Sequence, residues 1–179
     1  MKRVAVTILA AVMLLGLSPG LRAQDGLSPQ LAAARSAAER EIQDKMPGWM
    51  RTPITPITGS ADAVIDQWEL GNLVVKVVIE MRPSQREAEE GFDKGKQHLK
   101  TEEDAARSRG RRDFTRIKEK LTDVGQDGYT WEDSYESIAT AFRDNNLIVY
   151  VSVVAPARNR DKNLSKEFAR HVAKALRSM

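Results

Sequence analysis

The feature that most constrains the fold is an internal repeat. Residues 68–79 align without a gap on residues 142–153, which lie 74 positions further along the chain. Each copy has an aromatic residue at its start, a polar pair that favours a turn, and then a run rich in β-branched residues, which is typical of a β-hairpin. Four pairs are identical, namely Asn72/Asn146, Leu73/Leu147, Val75/Val149 and Val77/Val151. The repeat therefore predicts two similar hairpins.

The turn residues predict the register of both hairpins. Positions 71–72 (Gly-Asn) and 145–146 (Asn-Asn) tolerate the positive φ angles that a two-residue hairpin turn requires. With turns at these positions, Trp68 in the first hairpin and Phe142 in the second each face a valine on the paired strand. An aromatic residue opposite a valine is a favourable cross-strand pair, and the same register produces it twice.

Helical patterns surround the hairpins. Residues 27–46 begin with a Ser-Pro cap and carry apolar residues at three- and four-residue spacing, and similar patterns follow Pro83 and Pro156. The sequence therefore predicts an α+β fold, with an N-terminal helix followed by two ββα repeats at about 61–100 and 135–177. We expect the repeats to form an antiparallel sheet with the helices packed on one face.

We expect residues 24–179 to form a single domain. One joint stays open, because residues 101–124 fit either an amphipathic helix or a strand.

The first 23 residues have the layout of a secretory signal peptide. Lys2 and Arg3 precede an almost wholly apolar run, Val4–Leu17, and a Ser-Pro-Gly break follows it. We predict cleavage near Ala23/Gln24 and a periplasmic or secreted bacterial protein without a stable membrane anchor. An uncleaved N-terminal anchor is the alternative, although the run is short of the ~20 residues that span a bilayer.

The charged residues are distributed in alternating blocks, which indicates a patterned surface and not an anionic partner. The formal net charge of +3 comes from three basic residues in the segment predicted to be removed. The remaining chain is neutral, with blocks of +5 at residues 94–120 and 155–179 and blocks of −5 elsewhere. Basic residues in the first block, including Arg109, Arg111 and Arg112, are candidate contacts for a ligand or partner. Aromatic residues are not interleaved with them, so we expect no nucleic acid.

No catalytic constellation stands out in the sequence. The absence of cysteine excludes disulfides, thiolate metal sites and a cysteine nucleophile. His98 and His171 fall in predicted helices at similar places in the two repeats, either as partly buried side chains or as a paired site. The segment starting at Asp123 lacks two of the oxygen ligands of a calcium loop and is better explained as a turn. We expect no catalytic residue, cofactor or metal.

One segment resembles a known group of proteins. Residues 124–129 (Val-Gly-Gln-Asp-Gly-Tyr) precede a hairpin and a C-terminal amphipathic helix. This arrangement resembles small exported bacterial proteins and lipoproteins of unknown function that carry a VGDEAY-like turn and a PsbP/Mog1-like α/β sandwich. The resemblance covers about residues 121–177 and implies a fold without a catalytic motif.

Two functions of different classes follow from these observations. The first is a non-catalytic exported module that binds a small ligand or an envelope protein, with Asp66, Trp68 and Phe142 as further candidate contacts. Apolar residues on the second strand face would form a contact surface or a homodimer seam, unless the N-terminal helix and the proline-rich segment cover them: Ile65, Val74, Val78 and Ile148. The second is a hydrolase of envelope material that uses carboxylate chemistry. Asp66, which lies beside Trp68, is the only residue on which this hypothesis rests.

Overall fold

The structure, a computed structural model, describes residues 27–52, 62–110, 116–132, 137–154, 161 and 163–179. The predicted signal segment lies outside these residues. The helices are α1 (Pro29–Lys45), α2 (Gln85–Ser108) and α3 (Leu164–Arg177). The strands are β1 (Met50–Thr52), β2 (Ala63–Leu70), β3 (Leu73–Met81), β4 (Arg116–Leu121), β5 (Asp127–Glu132), β6 (Ser137–Asp144) and β7 (Leu147–Val154). The predicted α+β class, with a helix before the sheet, is confirmed.

The strands form one antiparallel sheet in the order β1-β2-β3-β7-β6-β5-β4. The two hairpins meet at its centre, where β3 pairs with β7. Val77 lies opposite Val151, its equivalent in the sequence repeat, so the central ladder is symmetric about this pair.

Both hairpin registers are confirmed. Trp68 pairs with Val75 and Phe142 pairs with Val149, as the turn positions predict. The turns carry the expected left-handed residues, because Gly71 has φ 60° and Asn145 has φ 52°. Glycine and asparagine tolerate this conformation better than other residues do.

Helices α1 and α3 cover one face of the sheet and pack against each other. Ser28 caps α1, since its hydroxyl accepts a hydrogen bond from the backbone N–H of Leu31. The large side chains of this core are Trp68, Phe142 and Phe168, all at most 1% exposed. They fill the space between the two helices and the sheet.

Helix α2 lies on the opposite face, so the prediction that all helices pack on one face is wrong. Its Ala88 and Phe92 pack against Tyr129, Ala141 and Ile148 in a second core. Successive residues of a strand point to opposite faces, which is why Ile148 contacts α2 while its neighbours face α1 and α3. The repeat of a whole ββα unit is therefore not confirmed.

The open joint is divided between a helix and a strand. Helix α2 continues to Ser108, and β4 begins at Arg116. The calcium-loop-like segment that starts at Asp123 is a bend that leads into β5, as the turn interpretation predicts. Within it, Gly125 has φ 59°.

Candidate functional site

Asp66 lies at the centre of a network of ion pairs. Its carboxylate accepts hydrogen bonds from Arg35 Nη2 at 2.7 Å and from Arg51 Nε at 2.8 Å, and Arg51 Nη1 also donates to Glu39 at 3.0 Å. The network joins α1, β1 and β2. Asp66 is buried, while both arginine side chains keep partial contact with solvent.

This arrangement gives Asp66 a structural role. Both oxygens of the carboxylate accept hydrogen bonds from guanidinium groups, so the side chain is engaged in ion pairs that join three elements of the fold. The hydrolase hypothesis rested on this residue alone and is therefore no longer supported by a candidate residue.

The two aromatic candidates belong to the core. Trp68 and Phe142 are 1% and 0% exposed, packed beneath α1 and α3. Neither side chain reaches the surface, and their predicted contact with a ligand stays a prediction.

The basic candidates are only partly described. Arg109 is the exposed C-cap residue of α2, and Arg107, two residues earlier, pairs with Glu103. Arg111 and Arg112 lie outside the described residues. Nothing in the described part of the chain brings Arg109 close to Asp66, Trp68 or Phe142.

The two histidines do not form a paired site. His171 on α3 lies 3.2 Å from Glu41 of α1, and His98 on α2 lies 3.3 Å from Glu102 in the same helix. Because α2 and α3 cover opposite faces, the sheet separates the two rings. Within the described ranges, no group of three or more His, Asp or Glu side chains is placed to hold a metal ion.

A different surface emerges from the contrast between the two faces of the first hairpin. The residues of β2 and β3 that point toward α1 and α3, such as Val64 and Val75, are buried. Those that point to the other side are mostly only partly buried. We call this surface the open face and define it by the residues of β1, β2, β3 and β7 that share it and stay accessible: Met50, Thr52, Ile65, Gln67, Glu69, Val74, Lys76, Ser152 and Val154.

Helix α2 packs beside the open face, on the part of β7 that contains Ile148 and Tyr150. Its main contacts are with β4, β6 and β7, and its core contains no described residue of β1, β2 or β3. The predicted contact surface is thus corrected in part, since Ile148 lies under α2 and Val78 is 3% exposed, whereas Ile65 and Val74 remain accessible. Met50 at the edge is 72% exposed.

A buried polar cluster borders the open face. Glu80 is 8% exposed and lies 2.7 Å from Arg82 Nη2. Burial raises the pKa of Glu80 despite this cation. The Tyr150 hydroxyl is buried without a hydrogen-bond partner among the described residues, and burial together with the nearby Glu80 raises the pKa of this phenol.

The sequence did not predict that Val154 is partly exposed, nor that Lys76 forms no ion pair with the residues that the structure describes. The alternation of strand residues identifies the second face, but it does not show which part of that face a helix covers. The polar residues Gln67, Glu69 and Lys76 among valines were the available signal, because a strand covered on both faces reads as a continuous apolar run.

No protein-family model and no curated protein matches this chain. Among solved structures, the chain is similar to the extracellular domain of PknH from Mycobacterium tuberculosis, at 12% sequence identity over 87% of this chain and 99% of that chain. The TM-score is 0.45, a level of likeness that supports no conclusion about function. No helix in the described part of the chain is long and apolar enough to cross a bilayer.

Proposed function

We propose that this chain is an exported, non-catalytic binding module that contacts its partner through the open face. The observation that carries the proposal is the partial exposure of Ile65, Val74 and Val154 on a four-strand surface with no helix of the described residues packed on it. Accessible apolar residues that share a surface with polar neighbours are typical of interaction sites.

The ion pairs of Asp66 support a binding role over a catalytic one. They give the only candidate carboxylate of the hydrolase hypothesis a structural function. Of the other candidates that the structure describes, Trp68 and Phe142 lie in the core and Arg109 lies at the C-terminal end of α2. The N-terminal layout supports export to the periplasm or beyond, and the partner would then be an envelope protein or a small ligand. The resemblance to exported PsbP/Mog1-like proteins agrees with this proposal and stays a prediction.

Site-specific photo-crosslinking in the native host tests the proposal. A benzophenone side chain is introduced at Val154 or, as a matched control, at Glu167, which is exposed on α3. We expect a discrete adduct from position 154 and none from position 167. Adducts of equal yield from both positions, or none from either, would reject the open face as a binding site.

Export is tested separately. The mass of the protein recovered from the envelope or the medium is expected to correspond to a chain that begins at Gln24. An uncleaved chain retained in the membrane fraction would contradict the signal-peptide prediction.

A further inference from the structure

We infer that the open face binds a second copy of this chain in a two-fold symmetric dimer, in which Glu69 of each copy contacts Lys76 of the other. This inference rests on the proposed function, because it names the partner of the same surface. An isologous interface must be complementary to itself, with each patch presenting both halves of every contact.

The charges of the open face meet this requirement. It carries one acid, Glu69, and one base, Lys76, on neighbouring strands. Within the described part of the chain, Lys76 forms no ion pair, and the Glu69 carboxylate accepts a hydrogen bond from Gln67 Nε2 at 2.6 Å. Among the described residues, no anion pairs with this partly buried lysine in the centre of a sheet face.

The strand lattice permits both contacts at once. Neighbouring strands lie about 4.8 Å apart, and residues on one face of a strand repeat about every 6.8 Å. Glu69 and Lys76 occupy diagonal corners of one cell of this lattice, and Gln67 and Val74 occupy the other two. A two-fold axis can lie in the plane of the interface and cross the line from Glu69 to Lys76 at its midpoint, at a right angle. This axis exchanges the two positions, so the Glu69 carboxylate of each copy faces the Lys76 ammonium group of the other.

The same axis also matches the apolar residues. It passes close to Val74 and Val154, which are neighbours across β3 and β7, so each valine packs near its own symmetry mate. It places Met50, the most exposed apolar residue of the surface, near Ile65 of the second copy. Helix α2 packs on β7 at Ile148 and Tyr150, and its core contains neither Ser152 nor Val154 of the open face.

Charge reversal and its rescue test the inference on the protein as exported by its host. Sedimentation or light scattering is expected to show a dimer for the wild type. Lys76→Glu and Glu69→Lys each place like charges in both contacts, and each should raise the dimer Kd roughly 100-fold or more. An equimolar mixture of the two variants restores both attractive contacts and should recover a heterodimer. The double variant, which exchanges the two charges, should form a homodimer.

Two further variants control for net charge. Lys94→Glu and Glu167→Lys alter exposed residues outside the open face. They change the net charge by the same amounts as the two test variants and should leave the dimer intact. Circular dichroism and urea unfolding establish that every variant is folded. Restored dimerisation in the mixture shows that the reversed variants had lost a contact and not their structure.

The outcomes separate this inference from the proposed function. A monomeric wild type at the highest soluble concentration, or reversed variants that stay dimeric, or a mixture that stays monomeric, would overturn the dimer. If position 154 still crosslinks to a different molecule, the open face remains a binding site with another partner. If position 154 yields no adduct at all, the proposed function fails as well.

Discussion

The hydroxyl oxygens of Thr140 and Ser165 lie 2.9 Å apart, and both residues are 0% exposed. This hydrogen bond joins β6 to α3 in the middle of the first core, where the neighbouring side chains are apolar. One of the two hydroxyls donates to the other, so both have a hydrogen-bond partner in a part of the core without exposed surface.

A double-mutant cycle measures this contact. Thr140→Val or Ser165→Ala alone leaves one buried hydroxyl without its partner, and each should lower the free energy of unfolding by about 1–3 kcal/mol. The double variant removes both polar groups and should be less destabilised than the sum of the two single changes. Strict additivity in urea unfolding would show that the two hydroxyls are not coupled.

Asp66→Asn removes the charge that holds Arg35 and Arg51 together. We expect the free energy of unfolding to fall by roughly 1–3 kcal/mol, toward the lower end because both arginines keep partial access to solvent. Glu90→Gln, which breaks an exposed pair with Arg86 on α2, should have no measurable effect. Equal stability of the Asp66 variant and the wild type would contradict the structural role of the network.

Glu80→Gln should change how stability depends on pH. Because burial raises the pKa of Glu80 in the folded state, the folded chain binds this proton more tightly than the unfolded chain does. Below its ordinary pKa of 4.5, Glu80 is protonated in both the folded and the unfolded chain and has no effect on the free energy of unfolding. As the pH rises from there through the raised pKa, the unfolded chain loses the proton first, so the free energy of unfolding falls. The stability of the wild type relative to the variant should therefore decline between acidic and neutral pH.

Urea unfolding of both proteins across this range provides the measurement. Other titrating groups are common to the two chains and cancel in the difference. A difference that is flat, or that rises with pH, would contradict the raised pKa.

Gly125→Ala should be more damaging than Gly71→Ala, although both glycines have φ near 60°. At Gly71 no atom lies within 4 Å of an added Cβ, so the cost is the left-handed backbone alone, about 1–2 kcal/mol. At Gly125 the Cβ would lie 2.3 Å from the Arg143 carbonyl oxygen. We expect a clearly lower unfolding midpoint for Gly125→Ala, and equal midpoints would show that the bend before β5 moves freely.

The hairpins were predictable because their determinants are local. Two residues at each turn set the register, and this register pairs Trp68 with Val75 and Phe142 with Val149. The position of α2 was not predictable in this way. Helical periodicity shows that Ala88 and Phe92 form an apolar stripe, but both faces of the central strands carry apolar residues, and the stripe does not specify which face it covers.

The role of Asp66 was hidden for a related reason. Strand alternation correctly places this carboxylate on the buried face beside Trp68. Its partners, Arg35 and Arg51, come from other elements, and no spacing in the sequence relates them to β2. The sequence indicated a single buried acid as the candidate site. The structure indicates a partly accessible surface instead, and its limits depend on where the helices pack.

The pairing of β3 with β7 has a consequence for the order in which the molecule is completed. The first hairpin precedes its central partner by about seventy residues, so the β3 ladder between Val74 and Met81 remains an unpaired edge until residues 147–154 are available. Closing such a long loop is slow, and an unpaired apolar strand edge is a template for aggregation. The molecule is thus most vulnerable while its C-terminal fifth is still missing, and a chain truncated before Leu147 should aggregate and not fold as a smaller domain.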